Sequence, residues 1–217
     1  MSLKEKIQDA YMDYVLSHGN EPHSVYVFCK ELEIKESDFY ESYNSFQSIG
    51  MEIWESLFTQ TKEMIEKQEV WSEYTVREKF LSFFYSFCEL LKSFRSYATY
   101  SFKAGIPGIK DSAILGPIKK SFLQFADSLI TEGLDTGEIL DRKFITDRYR
   151  DGLWIQFLFI IQFWIKDYSL GFEKTDEAIE KGVNLSFDLM ARSPLDSIID
   201  YSRFLARNGS FSYERTK

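Results

Sequence analysis

Ser24-Val-Tyr-Val-Phe-Cys-Lys-Glu-Leu-Glu-Ile-Lys-Glu-Ser-Asp-Phe-Tyr-Glu-Ser-Tyr43 reads as two short helices joined by a tight turn. Val25, Phe28, Cys29 and Leu32 fall at i, i+3, i+4 and i+7, one face of a helix, and Ser24 precedes them as an amino-terminal cap. Ile34 marks the turn. Phe39, Tyr40 and Tyr43 then give the second helix an inward side, which leaves Lys35 to Asp38 facing out. That is a helix-turn-helix, whose outward edge is the part that enters a major groove.

Working outward, Ile7, Ala10, Tyr11, Tyr14 and Val15 form the apolar stripe of a preceding helix that Gly19 breaks. Ile49, Ile53, Trp54, Leu57 and Phe58 form that of a following one. With these flanks, residues 1–58 resemble the amino-terminal domain of TetR-family transcriptional regulators, in the order Ser24-Val25, Leu32, Ile34, Phe39-Tyr40-x-x-Tyr43. The resemblance implies an all-α, TetR-like protein: a three-helix head over residues 1–46, and a larger ligand-binding and dimerisation body over 47–217, about nine or ten helices in total. It also implies a homodimer on a two-fold DNA operator. Ser24, Lys30, Lys35 and Tyr40 stand where the family contacts phosphates, and Ser37 or Asp38 stands where a side chain reads a base edge, such as a cytosine amino group.

The charges pull the other way. Over residues 1–50, four lysines face nine carboxylates, a formal balance of −5, and the first arginine is Arg77. Affinity for DNA begins with cations that neutralise phosphates. Where the family commonly has a glycine in the turn this chain has Glu33, Glu36 and Asp38 stand on the recognition helix, and Phe46 replaces the lysine usual after the aromatic pair. Two functions therefore stand side by side: a ligand-responsive DNA-binding regulator, and a small-molecule or lipid-binding protein of the same fold whose head no longer binds DNA.

Beyond the head the period stays near 3.6, and only four prolines interrupt 217 residues. The pattern predicts a helix from about Phe46 to Lys67, a joint at Trp71–Tyr74, and helices at about 75–94, 95–103 and 113–134. A stop falls at Gly105-Ile-Pro-Gly108. A long helix follows over 141–168, then helices over 174–191 and from Leu195 to Leu205. By position, the helices of 141–168 and 174–191 resemble the family's dimerisation pair. Twenty phenylalanines, many on the helices of 75–94, 113–134 and 141–168, suggest a pocket for an apolar or aromatic effector lined by Phe84, Phe87, Cys88, Phe102, Phe122, Phe125, Trp154, Phe157 and Leu158. Gln156 and Gln162 interrupt an apolar run and need partners, from a ligand or across a dimer interface.

Other chemistry finds little support. Two histidines, His18 and His23, sit at helix ends, and no Cys/His set has metal spacing, so no catalytic residue, metal or cofactor is expected. Cys29 and Cys88 lie in apolar stripes, as buried thiols do. The amino-terminal residues are charged and amphipathic, and the run Leu153–Ile165 is shorter than the roughly 20 residues a spanning helix needs, so a cytoplasmic protein without a membrane span is expected.

Overall fold

The structure, a computed structural model, describes residues 2–102, 113–142, 145–191, 201–205 and 207. Among these the fold is all-α, with no strand. Helix α1 (Leu3–His18) starts in a capping box in which Ser2 and Glu5 satisfy each other's backbone N–H groups, and it ends at Gly19, whose φ of 72° is the left-handed geometry of a helix stop. Helices α2 (Val25–Glu31) and α3 (Glu36–Ser42) follow, then α4 (Phe46–Glu66). Their meeting point is a small aromatic core. Phe46, on the first turn of α4, packs on Tyr11, Phe28 and Phe39 with ring centroids 5.9, 5.3 and 5.7 Å away.

Of the three aromatic residues expected to face inward on α3, Phe39 and Tyr43 do, but Tyr40 is 55 % exposed. At i+1 from Phe39 it lies 100° round the helix, beyond the width of this narrow core.

Helix α4 then leaves the head. Together with α5 (Val76–Lys92), α6 (Arg95–Ser101), α7 (Gly116–Thr136), α8 (Tyr149–Lys166) and α9 (Glu173–Met190) it builds the body, and residues 201–205 are also helical. A short 3-10 turn, Glu69–Glu73, makes the joint before α5. Phe83 is the hub of the body core, with the rings of Phe58, Phe84, Phe87, Phe122, Phe125 and Phe157 centred 5.1–6.2 Å from its own. Charges tie the helix ends: Glu138 accepts from the N–H groups of Val76 and Arg77 at 3.0 and 3.4 Å, and buried Lys79 pairs with Glu132 at 2.6 Å under the ring of Trp71.

The expected long helix over 141–168 is shorter at its start. Helix α8 begins at Tyr149, after a single turn at Thr146–Arg148. The reason lies in Arg142, whose guanidinium donates to the carbonyls of Leu189 (2.6 Å) and Ala191 (2.7 Å), so it closes the carboxyl end of α9 instead of continuing a helix. The Gly105–Gly108 stop, Phe144 and residues 195–200 of the last expected helix lie outside the described residues. Among those described, no helix is long and apolar enough to cross a membrane, and no group of three or more His, Cys, Asp or Glu is placed to hold a metal ion.

Candidate functional site: the head face, the aromatic interior and the α8–α9 face

On the head, the outer face of α2 and α3 carries the residues expected at DNA. Lys30, Lys35, Ser37 and Tyr40 are exposed and Ser24 is half-buried. Ser24 Oγ accepts the N–H of Val27 at 3.2 Å, so it caps α2. Asp38, also half-buried, is engaged on both oxygens: Oδ2 accepts the backbone N–H of Lys35 at 3.2 Å and Oδ1 the hydroxyl of Ser37 at 3.1 Å. Its carboxylate closes the start of α3 from within, where it favours the helix dipole.

The four head lysines divide. Lys4 pairs with Glu52 at 2.6 Å, and Lys6 donates to the carbonyl of Leu32 at 3.1 Å, whereas Lys30 and Lys35 make no ion pair among the described residues. Two free ammonium groups thus share the face with exposed Glu31, Glu33, Glu36 and Glu41. Glu33 holds a φ of 56°, the left-handed conformation that costs a residue with a Cβ about 1 kcal/mol or more. Tyr26, 61 % exposed on α2, is a further aromatic residue of this region that the sequence reading passed over. The signal was its place outside the Val25–Phe28–Cys29 stripe.

Inside the body, the structure brings six of the residues expected to line a pocket into one aromatic cluster. Phe84, Phe87, Phe122 and Trp154 each have a ring centred 4.8–6.3 Å from that of Phe157, and Phe125 joins them through Phe83. Phe102 packs on Trp54 at 5.9 Å, and Leu158 is buried on α8. Cys88, one turn on from Phe84, lines a cleft of about 440 Å³ together with Tyr85, Lys92, Trp164 and Asp176. Burial, reinforced by the charge of Asp176, pushes its thiol up to about 12, so it stays protonated.

Among the described residues, four buried side-chain polar atoms have no hydrogen-bond partner: Glu55 Oε2, Tyr97 Oη, Gln156 Nε2 and Trp164 Nε1. Gln156 is half satisfied, since its Oε1 accepts from Ser186 Oγ at 2.7 Å across the α8–α9 contact. Gly182 makes room for it, because a Cβ there would sit 2.9 Å from Gln156 Nε2. The outer face of the same two helices is apolar: Ile155, Phe159, Leu185 and Leu189 are 50, 51, 62 and 46 % exposed. Gln162 lines a cleft at the far end of that face.

A helix-turn-helix head joined by one long helix to an all-α body defines a class of transcription regulators. Within it, the family of the tetracyclin repressor-like C-terminal domain matches residues 79–205, more than half of the chain, and the chain belongs to that TetR family, whose members are transcription factors and not enzymes.

Solved structures agree on the fold. A TetR-family regulator of Syntrophomonas wolfei str. Goettingen is 15 % identical, with 86 % of this chain and 94 % of that one covered and a TM-score of 0.66. A protein of Shewanella sp. PV-4 assigned to the TetR-family transcription regulators is 11 % identical (88 % and 100 % covered, TM-score 0.62). The fatty acid degradation regulator FadR of Bacillus halodurans is 14 % identical (86 % and 96 %, TM-score 0.60). No curated protein matches.

Proposed function

We propose that this regulator is a homodimer that binds a two-fold DNA operator and releases it in response to an apolar or aromatic effector. Residues 1–46 are its head and 47–217 its effector-binding and dimerisation body. The observation that carries this reading is α4: its first residue, Phe46, packs in the head core, and Phe58, three turns on, packs against Phe83 and Phe125 of the body. One rigid rod therefore belongs to both cores, and a change of packing around Phe58 moves the head. Lys30, Lys35 and Tyr40 meet phosphates, Ser24 and Asp38 fix the two helices that present them, and Ser37 with Glu36 faces the base edges.

The effector acts on the aromatic interior. Because the rings of Phe84, Phe87, Phe122, Phe125, Trp154 and Phe157 already touch, the ligand-bound state is a second packing of the body, and the ligand shifts the balance only by its differential affinity for the two. The dimer forms through the half-exposed residues of α8 and α9.

Fluorescence anisotropy with DNA from the gene's own upstream region, at low and moderate salt, tests the reading. Binding is expected to weaken with salt and to be lost in Lys35→Glu, with the slope of log K against log salt lower by about 1 for the lost phosphate contact. Affinity no better than for unrelated DNA at low salt rejects operator binding. The acidic head supports the second reading in that event: a small-molecule or lipid-binding protein that keeps the head only as a packed domain.

A further inference from the structure

The loop between α8 and α9 is more strongly fixed than a connection of its length requires. Asp167 is buried and accepts four hydrogen bonds, from the N–H and hydroxyl of Ser169 at 2.8 and 2.6 Å and from those of Thr175 at 2.9 and 2.7 Å. Arg95, on α6, donates to the carbonyls of Trp164, Ile165 and Asp167 at 3.1, 3.3 and 2.9 Å. Its guanidinium lies 4.8 Å from the ring centroid of Trp164 and 4.7 Å from that of Phe172. Gly171 and Phe172 follow each other in the left-handed region, with φ of 64° and 66°, a conformation a phenylalanine keeps only when its surroundings impose it.

What this scaffold holds out is two large apolar side chains with almost no cover. Tyr168 is 91 % and Leu170 88 % exposed. A single exposed leucine is ordinary. Two such residues on a clamped, strained loop are not, because a flexible loop would fold them back. Beside them is a cleft of about 510 Å³ lined by Phe159, Gln162, Phe163, Lys166, Tyr168 and Lys174. Projection and recess lie side by side on one patch, the arrangement an isologous contact needs, since each copy then offers its projection to the other's recess.

Two further observations select a second copy as the occupant. The recess continues the apolar stripe of α8, with Ile155, Phe159 and Phe163 at i, i+4 and i+8. The charges are also complementary: Lys166 and Lys174 line the recess and make no ion pair among the described residues, the one carboxylate beside them, Asp167, being taken up by Ser169 and Thr175, while Glu173, two residues beyond Gly171, is exposed and makes no ion pair there.

We infer that the α8–α9 loop is a reciprocal lock of the dimer, Tyr168 and Leu170 of each copy entering the Phe159–Phe163 recess of the other. This rests on the proposed homodimer and adds to it a contact outside the helix pair. The side chains are exposed, so their removal leaves the fold of each copy intact.

Sedimentation equilibrium of the full chain is the test, with circular dichroism melts as a check on folding. The Tyr168→Ser/Leu170→Ser variant is expected to raise the dimer dissociation constant at least about tenfold, as the loss of central apolar anchors does, with an unchanged far-UV spectrum. Mixing Leu170→Cys with Gln162→Cys under mild oxidation is expected to give a covalent dimer that neither variant forms alone. An unchanged dissociation constant, or no mixed disulfide, overturns the lock. Ile155→Asp separates the two levels. If it disrupts the dimer while the loop variant does not, the helix-pair dimer stands and the lock falls; a wild-type chain that is monomeric at tens of micromolar removes both.

Discussion

The head face and the α8–α9 face both turn uncovered side chains outward, and they do so in opposite ways. The head presents two free lysines among four exposed glutamates, a surface that water solvates well and DNA phosphates do not favour. The α8–α9 face presents Ile155, Phe159, Leu185 and Leu189, which water solvates poorly. In the proposed dimer, burial of those apolar side chains favours association of the bodies, whereas the acidic head face gives one head little attraction to DNA. Under the proposed function, the dimer delivers two weakly charged heads together, and each step gained in one head counts twice.

The largest effects should come from the cores, and they test whether the two regions are separate. Phe83→Ala removes the hub of the body cluster and is expected to cost about 3–5 kcal/mol, which lowers the main melting transition. Phe39→Ala makes the same deletion in the small head core. If the head is a unit of its own, near-ultraviolet dichroism and amide exchange should show α1–α3 opening first, with the body transition in place. One shared transition for both variants would merge the two regions into a single cooperative unit.

Next in size is Asp167, which holds the end of the apolar face. Burial pushes its carboxyl up, but the donors of Ser169 and Thr175 outweigh that and hold it at about 2, below the ordinary 3.8. The sign follows: a depressed folded value stabilises above the unfolded one and is lost as pH falls through the folded one. Asp167→Ala should cost about 2–3 kcal/mol at neutral pH, where it leaves buried donors unpaired. Chemical denaturation across pH should find that gap constant down to about pH 4 and closing toward pH 2. A gap that stays the same throughout would mean that the side chain acts through packing and not through its charge.

How much of this was legible beforehand depended on the range of the interactions. Helix positions followed from periodicity, a local property: α4 ends within one residue of its expected end at Lys67, and α9 within one residue at each side of 174–191. The start of α8 did not, because Arg142 is taken by carbonyls 47 and 49 residues away, and nothing near it in sequence announces that. Phe84, Phe122 and Phe157 were readable as interior residues, yet their spacing could not say whether the rings would surround a space or fill it. Asp38 is the reverse case, where a residue type suited to base contact turns its two oxygens to the backbone and to Ser37. The clamp of Arg95 and Asp167 left no sequence trace, since its members come from three elements.

The smallest expected effect sharpens the comparison most, because it alters the head alone. Glu33 keeps a left-handed backbone at the turn between α2 and α3 and adds a negative charge beside Lys35. Glu33→Gly removes about 1 kcal/mol of strain and returns roughly half of it as added freedom of the unfolded chain. The head should therefore gain only about 0.5 kcal/mol, read as slower amide exchange in α2 and α3. The same change takes one carboxylate away from the face proposed to meet DNA, and in the proposed dimer it takes two. Anisotropy titrations should then show several-fold tighter operator binding at low salt, with the gain shrinking as salt screens the charge. A stabilised head with unaltered DNA affinity would place the turn outside the contact region, and the acidic face would have to be explained by something other than repulsion from phosphates.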